Sequence, residues 1–389
     1  MGRLGRGALS VASSVSTLSA GWWWPWPEPK PDAAMAGVYD VVIVGGGLCG
    51  LMLARLLEQQ GGVNYVVLEA HEERFGGRLW NTPEGLDLGA AWLWPQFGQT
   101  HAPALSTSLG LELFPQPPGE PKGFAPPEPG RFRVEGGTYG LVERIVAGLP
   151  AERVRKGCPV TCVRRDAACP AAAADADKTY VALESSDGGV FHAERVVLAV
   201  PPEMLAAKVE FEPALPQARM RAMRNAKTWM AGVTKVVLAY EARFWEDLGL
   251  GLGAAGPAFQ VYDASSKDDG VVGITFFAFN EEDLDDDEFV GRCLSQLNAY
   301  FDLRGDDGLA KRASAFKTAF VQRWSKEPWI SADPNPSKIH PHPHPVPALS
   351  RPEWDGRLLF AATETDLQDP GLVEGAVGAA LRAFKELQG

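Results

Sequence analysis

Two periods of apolar residues run along this chain, and each change from one to the other marks an element. Tyr39 to Val44 is a short β-branched run that stops at Gly45-Gly46-Gly47. Helical spacing follows at once through Leu48, Leu51, Leu53, Ala54 and Leu57, so the segment predicts strand, tight turn and helix. A second apolar run, Tyr65 to Leu68, ends in Glu69 and closes a βαβ unit of about 30 residues. Pro115 to Pro129 is dense in Pro and Gly and predicts a loop or linker, after which Gly136-Gly137 opens a helical pattern through Leu141, Ile145 and Val146. Arg195 to Val200 predicts a buried strand ended by Pro201-Pro202. From there to about Phe320, strand-like segments (Gly232 to Tyr240, Val271 to Phe279) alternate with charged helices, the pattern of an inserted α+β domain. Arg357 to Ala361 then predicts a strand and Val373 to Leu387 a helix.

Gly45, Gly47 and Gly50 form G-x-G-x-x-G between that first strand and helix. The first Gly permits the tight turn, the second lets backbone approach a pyrophosphate, and the third lets helix and strand pack closely. The helix N-terminus then offers open N–H groups and the positive end of its dipole to the phosphates. Glu69 follows Gly50 by 19 residues at a strand end, where a carboxylate accepts a hydrogen bond from a ribose hydroxyl. The context predicts a bound dinucleotide, with NADP disfavoured because an acidic residue there repels a 2′-phosphate. Gly76-Gly77-Arg78 brings a close-approaching backbone and a guanidinium fork, which tilts the choice between NAD and FAD towards FAD; a surface turn with a solvated Arg is the alternative.

Composition narrows the picture further. A formal charge of −12 and a pI near 5.1 give no footprint for nucleic acid or an anionic membrane surface. The cysteines Cys49, Cys158, Cys162, Cys169 and Cys293 are scattered and lack paired C-x-x-C spacing, so a structural zinc site is not expected and a reduced intracellular compartment fits. No run of about 18 apolar residues appears, so no spanning helix is expected. His340, His342 and His344 alternate with prolines and predict an exposed loop rather than a metal site, and Glu281 to Glu288 predicts a solvated helix start rather than a calcium loop. Neither a G-x-S-x-G elbow nor a Walker A sequence occurs, which speaks against hydrolase and NTP-dependent chemistry. Residues 1–37 carry Arg3 and Arg6, many Ser and Ala, and no acidic residue before Glu28, the composition of a plastid or mitochondrial transit peptide or of a disordered leader; Met35 offers an alternative start.

An ordered set of segments reaches from Tyr39 almost to the end of the chain. It comprises Asp40 to Gly47, Glu69-Ala70, Gly76 to Arg78, Asp87-Leu-Gly-Ala-Ala-Trp92, Gly136-Gly137, Pro159-Val160, Val196 to Pro202, Leu359 to Glu364 and Pro370 to Val377. In these the chain resembles the flavin-containing amine oxidase family, which includes monoamine, polyamine and L-amino-acid oxidases. The resemblance implies a Rossmann-like, three-layer α/β FAD-binding domain with an inserted α+β substrate domain. On that basis residues 1–37 are the leader, 38–84, 136–205 and 321–389 the discontinuous FAD-binding domain, and 85–135 with 206–320 the substrate-binding domain. It places Leu48, Cys49, Glu69, Ala70, Gly77 and Arg78 around the AMP and pyrophosphate and the Val160 backbone at the adenine. Ala90, Ala91 and Trp92 pass beside the flavin, Glu364 lies near the ribityl-pyrophosphate region, and Leu372-Val373, at a helix start, meets the pyrimidine end.

Lys235 lies in Gly232 to Tyr240, where alternation sets Val233, Lys235 and Val237 on one face. Pattern alone favours a lysine at a sheet edge or reaching for solvent. The family places a lysine here, before an aromatic-Trp pair such as Phe244-Trp245, to hold a water at the flavin, so the resemblance makes Lys235 the candidate catalytic residue. Trp324 or Trp329 supplies one aromatic wall of the substrate site, whereas Leu372 stands where a second aromatic ring is usual. No Cys lies near Trp324 to Leu372, so non-covalent FAD is expected. The expected activity is oxidation of a small-molecule amine, with oxygen as acceptor and imine, aldehyde and hydrogen peroxide as products. A carbon-carbon dehydrogenase of the desaturase or protoporphyrinogen-oxidase type and a flavin-binding protein without turnover stay as alternatives. A homodimer is compatible with the sequence, and the oligomeric state stays open.

Overall fold

The computed structural model describes residues 38–117, 130–169, 178–245, 256–281, 283–302, 305, 307–333 and 339–389. The leader and most of the Pro/Gly-rich stretch read from the sequence lie outside them. The strands are β1 (Val38–Val44), β2 (Tyr65–Leu68), β3 (Leu113–Pro115), β4 (Phe132–Val134), β5 (Val154–Arg155), β6 (Val160–Ala167), β7 (Tyr180–Ser185), β8 (Val190–Leu198), β9 (Glu210–Glu212), β10 (Val233–Tyr240), β11 (Ala258–Asp263), β12 (Val272–Phe279), β13 (Thr318–Arg323) and β14 (Leu358–Phe360). The helices are α1 (Leu48–Gln60), α2 (His101–Ser108), α3 (Tyr139–Ala147), α4 (Pro202–Lys208), α5 (Gln217–Asn225), α6 (Asp286–Asp302), α7 (Asp307–Ala313), α8 (Pro347–Ser350) and α9 (Val373–Gln388).

A strand covered on both faces needs apolar residues at every position, and β1 has them from Val41 to Val44, after the exposed Asp40. It lies between β2 and β8 in parallel, with Val42 opposite Val66 on one side and Val196 on the other. The first sheet runs β5-β2-β1-β8-β7-β6-β9, and β14 joins the C-terminal half of β8 in parallel. On one face Ile43 and Val67 pack with Leu51 and Leu53 of α1, Leu141 of α3 and Val377 of α9. On the other, Val42 and Val66 pack with Leu205 of α4, Met223 of α5 and Leu349 of α8. Helices on both sides of a mostly parallel sheet make the three-layer, Rossmann-like α/β fold that the turn sequence predicts.

The second sheet is antiparallel, in the order β11-β12-β10-β13. Val236 and Leu238 of β10 face Phe289, Cys293 and Leu297 of α6, whereas Val233 and Val237 join Phe277, Tyr262, Leu86 and Leu88. Register moves two boundaries read from the sequence. Glu210–Glu212 pairs with β6 and so belongs to the first sheet, and Arg323 pairs with Thr234 in the second, past residue 321. Strand pairing with distant partners sets both, and local pattern carries no trace of it. Among the described residues no helix is long and apolar enough to cross a membrane.

Candidate functional site

The turn after β1 is built by close approach of backbone. Gly45 holds φ +105°, and a Cβ there would stand 2.6 Å from the Ala199 carbonyl oxygen. A Cβ on Gly50 would stand 2.0 Å from the Gly45 carbonyl oxygen, so α1 packs on the strand end only with glycine at this position. Gly47 is different, since a Cβ there would meet nothing within 4 Å. Its missing side chain leaves room over the N-terminus of α1, which no side chain caps. Glu69, buried at the end of β2, accepts hydrogen bonds from Gly46 N at 2.6 Å and His71 N at 2.8 Å. Burial pushes its carboxyl up, against the pull of those two N–H groups. Arg78 forms a bidentate pair with buried Glu364, at 2.6 and 3.2 Å, which joins the Gly76-Gly77 turn to the last third of the chain.

The stretch Asp87 to Trp92 is fastened from several sides. Lys235 Nζ donates to the carbonyls of Asp87 (3.0 Å) and Gly89 (2.6 Å), and lies 3.4 Å from the Tyr262 hydroxyl. The Trp324 indole N–H donates to the Leu88 carbonyl at 2.9 Å. Asp87 Oδ1 accepts from the backbone N and the hydroxyl of Thr138, at 2.7 and 2.9 Å. Lys235 is neither at an edge nor reaching for solvent: β10 is an interior strand and the residue is 1% exposed. Burial draws its ammonium down to about 7; Asp87 works against that shift and Arg133 adds to it. Asp87 is pushed up by the same burial, with Arg133 and Lys235 pulling it down.

A cavity of about 490 Å³ runs from the dinucleotide turn to the second sheet. Of the residues singled out in the sequence, Gly45, Gly47, Leu48, Cys49, Glu69, Ala70, Gly77, Arg78, Ala90, Ala91, Trp92, Val160, Lys235, Trp324, Trp329, Leu372 and Val373 line it. Gly50 sits behind it in the packing of α1, and Glu364 reaches it only through Arg78. Cys49 spends its buried thiol on the Ala361 carbonyl. Trp229 and Met230 also line the cavity. Reading by pattern missed four buried residues that hold it together: Thr138, Glu203, Tyr262 and Glu374. Glu374 accepts three backbone N–H bonds, each 2.7 Å, from residues 100–102 at the start of α2. Their partners come from distant segments, so the local sequence does not show what they hold; Asp87 and Glu374 stood inside segments named above, but with no role given to either.

The residues present fit FAD. The space over Gly47 and the uncapped N-terminus of α1 suit its pyrophosphate, Glu69 its ribose, and the stretch 89–92 with the N-terminus of α9 its ring system. The cavity continues beyond them to the side chains of Trp229, Trp324 and Trp329.

Comparison with known proteins agrees. A model described as NAD(P)-binding Rossmann-like domain matches residues 43–105. The probable flavin-containing monoamine oxidase A of Dictyostelium discoideum is 24% identical over 261 residues, 66% of this chain and 53% of that protein. Putrescine oxidase of Kocuria rosea is 46% identical over 78 residues, 19% of this chain and 16% of that protein. The chain thus spans about half the length of the first relative and less of the second. Among solved structures, wild-type putrescine oxidase bound to putrescine superposes with a TM-score of 0.69 at 20% identity, covering 90% of this chain and 99% of that one. Cyclohexylamine oxidase from Brevibacterium oxydans gives 0.69 at 19% identity, with the same coverage; both show the shared fold. The model described as flavin containing amine oxidoreductase matches residues 123–387, most of the chain and all of the second sheet, and by that match the chain belongs to the flavin-containing amine oxidoreductase family.

Proposed function

We propose that this chain is an FAD-dependent oxidase that removes a hydride from the carbon next to a neutral amine, giving an imine that water hydrolyses to an aldehyde. The chemistry that bound FAD supplies is two-electron oxidation, with oxygen as the final acceptor and hydrogen peroxide as product. One observation carries the reading: a single cavity joins the dinucleotide turn, the stretch 89–92, Lys235 and the wall of Trp324, Trp329 and Leu372.

The protein's part is orientation, exclusion of water and electrostatics. Trp324 and Trp329 on one side and Leu372 on the other bound a largely apolar space in which an uncharged amine costs little to hold and an ammonium costs much. The N-terminus of α9 at Val373 offers its positive end to charge that gathers on a bound ring. Where it carries its proton, below about pH 7, Lys235 sets a cation beside the same stretch, where it favours reduction of oxygen by stabilising superoxide.

The test is anaerobic. Protein purified with its flavin is mixed with amines, amino acids and polyamines while the visible band is followed. Bleaching by an amine, with recovery and peroxide on admitting air, is the expected result, and Lys235→Met should slow the recovery at least tenfold. Unchanged recovery in that variant would remove the role given to Lys235.

One observation favours a second reading. An ammonium has three N–H donors, and Lys235 already directs two to carbonyls and lies near a hydroxyl, which leaves little for a water. With the aliphatic Leu372, that suits a carbon-carbon dehydrogenase, or a flavin-binding protein without turnover. A bound flavin that no amine bleaches is the result that selects it.

A further inference from the structure

A buried carboxylate is costly unless donors surround it. Glu203, 3% exposed at the start of α4, has three. It accepts from the Thr228 backbone N (3.0 Å), the Ser331 hydroxyl (2.8 Å) and Lys227 Nζ (3.2 Å). Thr228, fully buried, donates its own hydroxyl to the Ile330 carbonyl at 2.8 Å, so segments a hundred positions apart are tied twice, once through Glu203 and once directly. These are the segments that carry Trp229 and Met230 on one side and Trp329 and Ile330 on the other, all four lining the cavity. Met230 has φ +63°, a conformation that a side chain with a Cβ seldom adopts and that persists only where surrounding contacts enforce it.

The network continues outward. Lys227 lies 3.4 Å from Asp333 Oδ2, which is 2.7 Å from His340 Nε2. Two residues on, the His342 ring stands edge-on to Trp229 at 4.6 Å. Pro343 occupies the place a side chain would need on Gly371, where a Cβ would be 2.6 Å from its Cγ. The prolines and histidines read from the sequence as an exposed loop thus back the Trp229 wall and touch the turn before Leu372.

We propose that the Glu203 carboxylate is a clasp that holds the two aromatic segments, 228–231 and 329–331, over the substrate end of the cavity, and is thereby a positioning residue for amine binding. It need not touch the substrate. The assignment rests on the reading of that end as the amine site, but the clasp itself is testable without it.

The experiment is hydrogen exchange on the flavin-loaded protein, comparing wild type with Glu203→Ala, Glu203→Gln and Ser331→Ala. Glu203→Ala should speed exchange about tenfold in peptides covering 228–233 and 329–333, with peptides of β1 and α1 unchanged and flavin content kept. Glu203→Gln, whose amide oxygen still accepts from Thr228 and Ser331, should recover most of the protection. Ser331→Ala should loosen 329–333 alone. With an amine that bleaches the wild-type flavin, Glu203→Ala should raise KM about tenfold and move kcat less than about twofold, a split that a purely structural defect would not give. Unchanged exchange in both segments, acceleration spread evenly over the molecule, or a fall in kcat at constant KM would overturn the clasp. If Glu203→Ala does not fold, Ser331→Ala decides, and unchanged exchange at 329–333 overturns it. If no amine bleaches the wild type, the amine reading falls while the exchange result still decides the clasp.

Discussion

Lys235 occupies the one place on β10 where an interior strand turns a charged side chain towards the cavity instead of a methyl group. Taking an ammonium out of water is unfavourable, and two backbone carbonyls with a nearby carboxylate repay only part of it, so its pKa falls to about 7 from an ordinary 10.5. The sign of the consequence follows from linkage. Between pH 7 and 10.5 the unfolded chain binds a proton that the folded chain has lost, so this group adds stability as pH rises through that window. Below about 7 both states carry the proton and the penalty is present in full. Unfolding midpoints of wild type and Lys235→Met at pH 6.5 and pH 9 check this. The wild type should gain on the variant as pH rises, and the difference cancels the thiols and phenols that titrate in the same range. A gap that does not change with pH would mean that Lys235 keeps its ordinary value.

At the level of elements, the β1 turn shows what a local pattern can and cannot specify. G-x-G-x-x-G lies within a few residues, so strand, turn and helix are legible from the sequence, and so is the part each glycine plays. The structure separates those parts into two measurable effects. Gly50→Ala forces a methyl group against the Gly45 carbonyl oxygen, at 2.0 Å, and α1 must lift from the strand. The apoprotein should lose roughly 1–3 kcal/mol of stability, the cost of overpacking, and bind FAD poorly. Gly47→Ala meets open space and has an ordinary φ of −74°, so apo stability should hold while FAD affinity falls at least tenfold. Thermal unfolding of the apoproteins and a flavin titration read the two effects apart. Loss of apo stability in Gly47→Ala would show that the space over α1 is not the cofactor's. What sequence could not supply is everything that depends on a remote partner: the flanking of β1 by β8, the interior place of Lys235, and the carboxylates of Glu203 and Glu374. Alternation tells which side chains share a face of β10, but an edge strand and a central strand can carry the same alternation.

The whole molecule closes on itself around the cofactor cavity. Segments from both ends of the described chain pack together: β14 lies beside β8, α9 packs on α1, Glu364 pairs with Arg78 at the cavity, and at the surface Gln60 and Gln388 exchange side-chain hydrogen bonds of 2.7 and 3.3 Å. A ligand in this cavity therefore touches segments from the first turn and from the last, and should couple to global stability. Binding to the folded state alone adds RT ln(1 + [L]/Kd), about 2.7 kcal/mol at a hundredfold excess over Kd. Stripping FAD should lower the unfolding midpoint, and adding it back should restore the midpoint with a logarithmic dependence on FAD concentration. Glu364→Gln tests whether the tie between the two ends matters to that coupling. The variant leaves Arg78 without its carboxylate, which weakens the join in the apoprotein but frees the guanidinium for a phosphate. The apo midpoint should fall while the rise produced by FAD grows. If FAD raises both midpoints equally, the Arg78–Glu364 pair joins the ends of the chain without taking part in cofactor binding.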